Sequence, residues 1–261
     1  MRYLVHFAVA ALTASVLWMP ISAYAEAPAY GCGDNAKLAR LYAPLRRMGR
    51  LVAGGRPVTV MALGSSSTAG AGASTPAASY PARLEIELRN RFPGVAITVL
   101  NRGVNGEEAG DMLARFDRTV SDDKPDVVLW QVGTNSVLRD HPIGPIDRLI
   151  NEGLARMKSL GADVVLIDPQ YAPKVIVKPD AESMVGVIAA AATRRSVDLF
   201  ARFAVMREWH ETQAIPFEAF LSPDLLHMND WGYACFAKLL GAAIAEAATR
   251  PVEAAHVAAP K

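Results

Sequence analysis

Asp224 and His227 lie three positions apart near the C-terminus, in the run Ser-Pro-Asp-Leu-Leu-His. Two side chains at this spacing on one turn lie next to each other. The carboxylate can then accept the imidazole Nδ1–H and leave Nε2 free to act as a general base. The pair therefore indicates proton-transfer chemistry that activates a nucleophile, although chance also produces this spacing.

Three adjacent serines, Ser65, Ser66 and Ser67, are the candidates for that nucleophile. They follow an apolar run and stand in the sequence Gly-Ser-Ser-Ser-Thr-Ala-Gly. A serine on the tight turn from a strand to a helix lies near backbone N–H groups that can stabilise an oxyanion. The alternative is a flexible or phosphate-binding loop, but the lysine of a P-loop is missing, and so is the Gly-x-Ser-x-Gly of α/β-hydrolases.

Two segments rich in Asn and Gly offer further hydrogen-bond donors. The first, Asn-Arg-Gly-Val-Asn-Gly, ends at Gly106, and the second, Gly-Thr-Asn, ends at Asn135. Glycine lets backbone N–H groups approach a substrate closely, and the Asn amide can donate to the same oxyanion. Taken alone, each segment is more typical of a simple turn.

The elements that must position these segments alternate between short apolar runs and helical patterns. Continuous apolar runs are typical of strands buried on both faces, and strands separated by helices predict one open parallel sheet. Ligands bind such sheets outside the carboxyl ends of the strands. We predict strands at residues 58–63, 95–100, 127–132, 164–167 and 197–200, a loop at 64–79, and helices at 34–52 (capped by Asp34), 80–92, 146–160, 184–194 and 231–249, with a short helix ending near Val120.

The four motifs fall in the order Gly-x-Ser-x-Thr, Asn-x-x-Val-x-Gly, Gly-x-Asn and Asp-x-x-His, and in this order the sequence resembles the SGNH (GDSL-type) hydrolase family. The resemblance covers nearly the whole chain after residue 25. It implies a three-layer α/β/α fold with a flavodoxin-like, five-stranded parallel sheet. It also implies that Ser66 is the nucleophile, that Asp224 and His227 complete a triad, and that Ser66, Gly106 and Asn135 donate to the oxyanion.

Two positions depart from the family pattern. The usual Asp before the nucleophile is Ser65 here, and the usual Asp after the third-block Asn is Ser136. Neither position carries the triad, so the departures bear on subfamily and substrate rather than on the presence of activity.

The resemblance implies a serine esterase that cleaves a carboxylic ester through an acyl-enzyme, with no metal and no organic cofactor. The expected substrate is a small-molecule or polysaccharide ester, either a lipid acyl ester or an O-acetylated carbohydrate. Two alternatives remain open, namely a polysaccharide O-acyltransferase with the same triad and a noncatalytic carbohydrate- or lipid-binding relative. Specificity is expected in the loops at residues 136–145, 170–179 and 206–222, whose aromatic residues are Tyr171, Trp209, Phe217 and Phe220. Packing is the expected role for at least half of these four.

Composition excludes several other classes of protein. Hydrophobic residues make up 51% of the 261-residue chain and charged residues 20%, which indicates a folded core rather than a disordered scaffold. Since 27 basic residues are balanced by 26 acidic ones, no electrostatic footprint for nucleic acid or for an anionic membrane surface is present.

The N-terminus has the pattern of a cleaved secretory signal at residues 1–25. Arg2 precedes an apolar run at 4–18, and Ala23-Tyr24-Ala25 is a small-x-small cleavage site. The run is shorter than the ~20 residues of a spanning helix, so we expect no stable membrane anchor. Residues 26–261 would then form one exported domain, periplasmic or extracellular, with a frayed tail at 251–261.

Export would expose Cys32 and Cys235, the two cysteines of the chain, to an oxidising compartment. We therefore expect a disulfide that ties the mature N-terminus to the C-terminal helix. Closing a loop of that length is worth at most about 5 kcal/mol in the chain-entropy model. The alternative is a pair of buried thiols.

Overall fold

Five parallel strands form one sheet in the order β2-β1-β3-β4-β5. This is the flavodoxin-like order, so the predicted fold class is confirmed. Its topological switch point lies between β1 and β3, because the chain leaves β1 for β2 on one side and then crosses to β3 on the other. The strands are β1 (Val58–Gly64), β2 (Ile97–Gly103), β3 (Val127–Gln131), β4 (Asp163–Ile167) and β5 (Asp198–Phe200).

The computed structural model describes residues 30–33 and 37–251. The predicted signal at 1–25, the proposed cap Asp34 and the tail beyond residue 251 lie outside the described residues. The chain divides into a short unit, Met1–Gly31, and a larger unit that begins at Cys32 and contains every strand and helix of the described residues.

Helices connect consecutive strands, as the alternating pattern predicts. They are α1 (Arg46–Ala53), α2 (Ser66–Ala69), α3 (Tyr80–Arg91), α4 (Ala109–Asp123), α5 (Thr134–Leu138), α6 (Ile143–Ser159), α7 (Pro173–Ile176), α8 (Ala181–Arg195), α9 (Arg202–Arg207), α10 (Phe217–Phe220) and α11 (Asp230–Thr249). A 3₁₀ turn at Pro76–Ala78 and a π-helical turn at Glu208–Thr212 complete the set in the described residues. The predicted loop at 64–79 thus contains α2 and a 3₁₀ turn.

The expectation that all strands are buried on both faces is wrong for β2. Every residue of β3 is buried, whereas only Ile97 is buried in β2. β2 is an edge strand with a neighbour on one side only, and it is less well covered than the other edge strand, β5, in which two of three residues are buried. The central strands β1, β3 and β4 form the core of the sheet.

The first helix is much shorter than the prediction of 34–52, because α1 begins at Arg46. Pro44 precedes it, and the residue before a proline disfavours helical backbone. Leu41, Leu45 and Met48 are buried as expected, but Leu38 is 37% exposed. Leu41 and Leu45 are thus buried by an irregular segment, although their spacing is that of the apolar face of a helix.

The C-terminal helix α11 packs against α3 and α1. Within it, Cys235 is buried and bonded to Cys32, the pairing expected from the sequence. The ring of Phe236 packs edge-on against Tyr80 of α3, with centroids 5.0 Å apart. None of the helices in the described part of the chain combines the length and apolar character that crossing a membrane requires.

Candidate active site

Ser66 is the first residue of α2, and Ser65 alone separates it from the carboxyl end of β1. Its Oγ lies 2.8 Å from Nε2 of His227, although the two residues are 161 positions apart. The hydroxyl therefore faces the ring nitrogen that a general base would use.

The other two serines of the run, Ser65 and Ser67, are more deeply buried than Ser66. Both are buried, at 2% exposure. Ser65 donates from its backbone N–H and from its Oγ to Oε1 of Gln131, at 3.0 and 3.1 Å. Of the three serines, all of which the structure describes, Ser66 is the one hydrogen-bonded to His227.

Asp224 and His227 lie on a closed turn between α10 and α11. Ser222 N–H donates to the His227 carbonyl at 2.8 Å. Leu225, between them, has a φ of +57°, a left-handed conformation that is unusual for a residue with a side chain. The turn brings Asp224 Oδ2 to 2.5 Å from His227 Nδ1. The carboxylate thus lies beside the imidazole, as the three-residue spacing predicts.

The Asp224 carboxylate is held ionised by its hydrogen bonds. Oδ1 accepts from Ser222 Oγ at 2.7 Å and from the backbone N–H groups of Leu226 and His227 at 3.0 and 2.9 Å. Burial by itself raises the pKa of Asp224, but these bonds and the one from His227 outweigh it and hold the pKa well below its usual range. A carboxylate beside Nδ1 also stabilises a proton on the ring.

The segment after Ser66 is fastened to the start of α11, which fixes the distance between serine and histidine. Ser74 donates to the Asp230 carboxylate from its backbone N–H at 2.8 Å. Tyr233 OH donates to the Ala71 carbonyl at 2.6 Å. Gly72, with φ +87°, packs so closely on the turn that a Cβ there would lie 2.9 Å from the Cβ of His227. No local sequence pattern predicts these contacts, because the hydrogen-bonded residues are 156 and 162 positions apart.

The two predicted oxyanion segments lie at the same edge of the sheet. Gly103 pairs with Gly64 in the β1–β2 register, and a Cβ on it would lie 2.1 Å from the Ala69 nitrogen, so α2 rests directly on this glycine. Gly106 follows, with φ +79°. On α5, the Asn135 side chain donates from Nδ2 to the Glu107 carbonyl at 2.8 Å, which leaves its second N–H for another acceptor.

A carboxylate that the sequence analysis missed ties these two segments together. Glu108 accepts from Ser136 Oγ at 2.6 Å, Arg139 Nη1 at 2.5 Å and His141 Nδ1 at 2.9 Å. Burial raises its pKa, but these bonds outweigh it and lower the pKa below its ordinary value. Arg139 also donates to the Gly106 carbonyl at 2.9 Å. The hydroxyl of Ser136, where the family carries Asp, therefore binds a carboxylate from a neighbouring loop.

Two of the four aromatic residues singled out for specificity are core residues. Trp209 and Phe220 are fully buried and pack together, with centroids 5.6 Å apart. Tyr171 and Phe217 are half-buried and stack at 6.0 Å. The prediction that at least half serve packing is confirmed.

The site combines a hydroxyl, a base with an ionised carboxylate behind it, and amide groups at the same sheet edge. Groups of this kind can attack a carbonyl carbon and stabilise the resulting oxyanion. Groupings of three or more His, Cys, Asp or Glu side chains suited to a metal ion are not found among the described residues.

Comparison with known proteins places this fold and these motifs in a family. The model of the non-GDSL lipase-like family matches residues 31–250. An arylesterase of Vibrio mimicus is 31% identical over 80 residues, which span 31% of this chain and 40% of that protein.

Solved structures agree at the level of the fold. A two-domain esterase active on acetylated mannans has a TM-score of 0.67 at 18% identity, over 84% of this chain and 59% of that one. Axe2, an acetylxylan esterase of Geobacillus stearothermophilus, has a TM-score of 0.62 at 20% identity, over 72% of this chain and 94% of that one. This chain thus spans less than two thirds of the arylesterase and of the mannan esterase. The family match covers most of the chain, which therefore belongs to the non-GDSL lipase-like family of SGNH hydrolases.

Proposed function

We propose that this protein is a serine esterase that cleaves a carboxylic ester through an acyl-enzyme on Ser66. The observation that carries the proposal is the hydrogen-bonded series from Asp224 through His227 to Ser66, with distances of 2.5 and 2.8 Å. A serine hydroxyl is a weak nucleophile, and this series supplies the base and the carboxylate that activation requires.

In the first step, Ser66 Oγ attacks the ester carbonyl carbon while His227 Nε2 takes the hydroxyl proton. Asp224 accepts the Nδ1–H, holds the ring in the required tautomer and stabilises the positive charge on it. The backbone N–H of Ser66, the backbone N–H of Gly106 and the Asn135 amide donate to the oxyanion. Each such donor is worth about 3 kcal/mol of transition-state stabilisation.

Collapse of this intermediate breaks the ester C–O bond, and His227 returns its proton to the leaving alcohol. Water then attacks the acyl-enzyme, His227 again takes the proton, and the acid leaves Ser66. The net reaction is ester plus water to acid plus alcohol. No step draws on a metal or an organic cofactor.

For the substrate we propose an O-acetylated carbohydrate ahead of a lipid acyl ester. Two structural relatives support this order, since one is active on acetylated mannans and the other is an acetylxylan esterase. The half-buried stack of Tyr171 and Phe217 lies in two of the predicted specificity loops. Flat apolar rings of this kind pack well against sugars.

We further propose that the protein is exported after cleavage of residues 1–25. The disulfide between Cys32 and Cys235 supports this, because such bonds persist in oxidising compartments. Mass spectrometry of the protein recovered from an exporting host should give Glu26 as its first residue. An uncleaved N-terminus on folded protein would contradict the proposal.

Turnover of p-nitrophenyl acetate and of acetylated xylo- and manno-oligosaccharides tests the function. The wild type should hydrolyse them, and Ser66→Ala should lose at least about 10⁴-fold in kcat, since triad members act as a unit. Ser65→Ala is the matched control and should stay within tenfold, because its hydroxyl binds Gln131 instead of His227.

Folded wild type that turns over none of these esters would contradict the esterase proposal and favour a binding protein. Acetyl groups recovered on an added sugar acceptor, in place of free acetate, would identify an acyltransferase.

A further inference from the structure

Gln170 has a buried side-chain amide at the carboxyl end of β4. No step of the mechanism proposed above uses it. It is 1% exposed and stands three residues after Ile167, the last residue of the strand. A buried amide is costly unless its donors and acceptors are paired. Its partners therefore indicate what it holds in place.

The acceptor side of Gln170 binds the helix that carries Asn135. Oε1 accepts from Thr134 Oγ1 at 3.0 Å and from Arg202 Nη2 at 2.9 Å. Thr134 is the first residue of α5 and directly precedes Asn135. Arg202 is itself fully buried and also donates from Nε to the Asp168 carbonyl, so this side of the amide is rigidly anchored.

The donor side of Gln170 binds the turn that carries the histidine. Nε2 donates to the Leu226 carbonyl at 3.3 Å, and Leu226 directly precedes His227. Lys174 N–H donates to the neighbouring Leu225 carbonyl, also at 3.3 Å. Because Leu225 is left-handed at φ +57°, the turn is strained and depends on such outside contacts to keep its shape.

We propose, on the basis of the esterase function above, that Gln170 is a positioning residue that sets the distance between His227 and Asn135. The base must reach the serine proton while the amide reaches the oxyanion of the same carbonyl. One buried side chain bonds the residue before each of them, so a shift of the amide moves the two groups relative to each other. A misplacement of about 1 Å between such groups can cost on the order of 10²-fold in rate.

Gln170→Glu tests the proposal with little change in shape. A carboxylate keeps the acceptor for Thr134 and Arg202 but cannot donate to the Leu226 carbonyl. We expect kcat for p-nitrophenyl acetate to fall by about 10- to 100-fold with KM within threefold, because the turn shifts while the binding surface stays. The rate of labelling of Ser66 by a fluorophosphonate should fall in parallel.

Thr134→Val is the second variant, since it removes one donor to Gln170 with almost no change in volume. It should lower kcat in the same direction by a smaller factor, and it remains informative if Gln170→Glu does not fold. Asn151→Asp, which alters an amide that donates to the Asp147 carbonyl within α6, is the control and should leave kcat unchanged.

Three outcomes would overturn the inference. These are a kcat of folded Gln170→Glu within threefold of the wild type, a loss carried by KM, and a Thr134→Val variant indistinguishable from the wild type when Gln170→Glu fails to fold. Wild type that neither hydrolyses esters nor reacts with the fluorophosphonate would overturn the proposed function instead, so the two failures are distinguishable.

Discussion

Two aspartates of this protein, Asp224 and Asp168, each lie beside a basic residue, yet their surroundings have opposite effects on them. Asp224 has 41% of its side chain exposed and accepts four hydrogen bonds, two of them from His227, through its backbone N–H and its Nδ1. Asp168 is fully buried near Arg202. Its Oδ1 accepts the Phe203 N–H at 2.9 Å, and its Oδ2 has no hydrogen-bond partner within the described residues.

The pKa values follow these surroundings. Hydrogen bonds outweigh burial at Asp224 and lower its pKa, whereas burial raises the pKa of Asp168 to about 7. Burial also lowers the pKa of Arg202 to about 10. Proximity of acid and base is therefore not enough to build a catalytic pair, since the carboxylate must also be solvated by donors that keep it charged. On this basis we assign the proposed chemistry to the exposed turn that carries Asp224 and His227, and a supporting role to the buried Asp168 and Arg202.

The largest expected contrast is in turnover. Asp224→Asn should lower kcat by up to about 10⁴-fold, as in serine proteases, because the amide favours the wrong tautomer of His227. Asp168→Asn should change kcat by less than about tenfold, since an Asn oxygen still accepts the Phe203 N–H. Steady-state kinetics on p-nitrophenyl acetate measure both. Similar losses of kcat in the two variants would contradict the assignment of chemistry to Asp224 and of a supporting role to Asp168.

The next contrast is in stability, where the order reverses. Arg202→Met removes the buried cation and leaves Gln170 and the Asp168 carbonyl each short of a donor. Removing one member of a buried charged group typically costs about 3–5 kcal/mol of unfolding free energy. Asp224→Asn should cost less, because solvent screens an exposed carboxylate. Urea unfolding followed by circular dichroism gives both values, and a larger loss for Asp224→Asn would contradict the assignment.

The smallest effect is a dependence of stability on pH. Burial raises the pKa of Asp168 from 3.8 to about 7, so the folded state holds the proton more tightly than the unfolded state. The stability contributed by the protonated form is complete below pH 4 and is lost as the pH rises toward 7. Asp168→Asn has no carboxyl group at this position and should not lose this stability. Between pH 5 and 8 the unfolding free energy of the wild type should therefore fall relative to that of Asp168→Asn, by on the order of 2 kcal/mol.

Asp224→Asn provides the matched comparison for that titration. Because the pKa of Asp224 is held low, its own carboxylate is ionised in both states between pH 5 and 8. Asp224→Asn still contains Asp168, so it should keep the loss of stability toward pH 7 that Asp168→Asn lacks. A wild type that gains stability over Asp168→Asn as the pH rises would show that Asp168 is charged and paired when folded.

The sheet could be predicted from the sequence because its signal is local. Strands such as residues 127–132 are continuous apolar runs that need no knowledge of their neighbours. The start of α1 was mispredicted since Leu38 follows the same helical spacing as Leu41 and Leu45, which an irregular segment buries. The spacing of apolar residues therefore predicts which side chains are buried. It does not by itself predict a helix, because the residues around Pro44 are buried in an irregular segment.

The site was predicted only in part, for a related reason. Motif order indicated Ser66, Asp224 and His227, because each motif is contiguous. The supporting residues Gln131, Glu108 and Gln170 lack such a signal, since their partners lie 66, 28 and 56 positions away and meet them only through the strand order. Gln131 ends β3, Gln170 follows β4, and Glu108 caps the helix after β2. All three lie at the carboxyl edge of the sheet, where parallel strands bring separate loops together.

The central claim is that Ser66, out of three adjacent serines, is the nucleophile that His227 on the exposed turn activates. Reaction with a fluorophosphonate, followed by peptide mass spectrometry, tests it most directly. We expect one covalent adduct, on Ser66, in the wild type and in Ser65→Ala, and none in His227→Ala, whose serine lacks the base 2.8 Å away. An adduct on Ser65 or Ser67, or an unmodified Ser66 in folded wild type, would contradict the account.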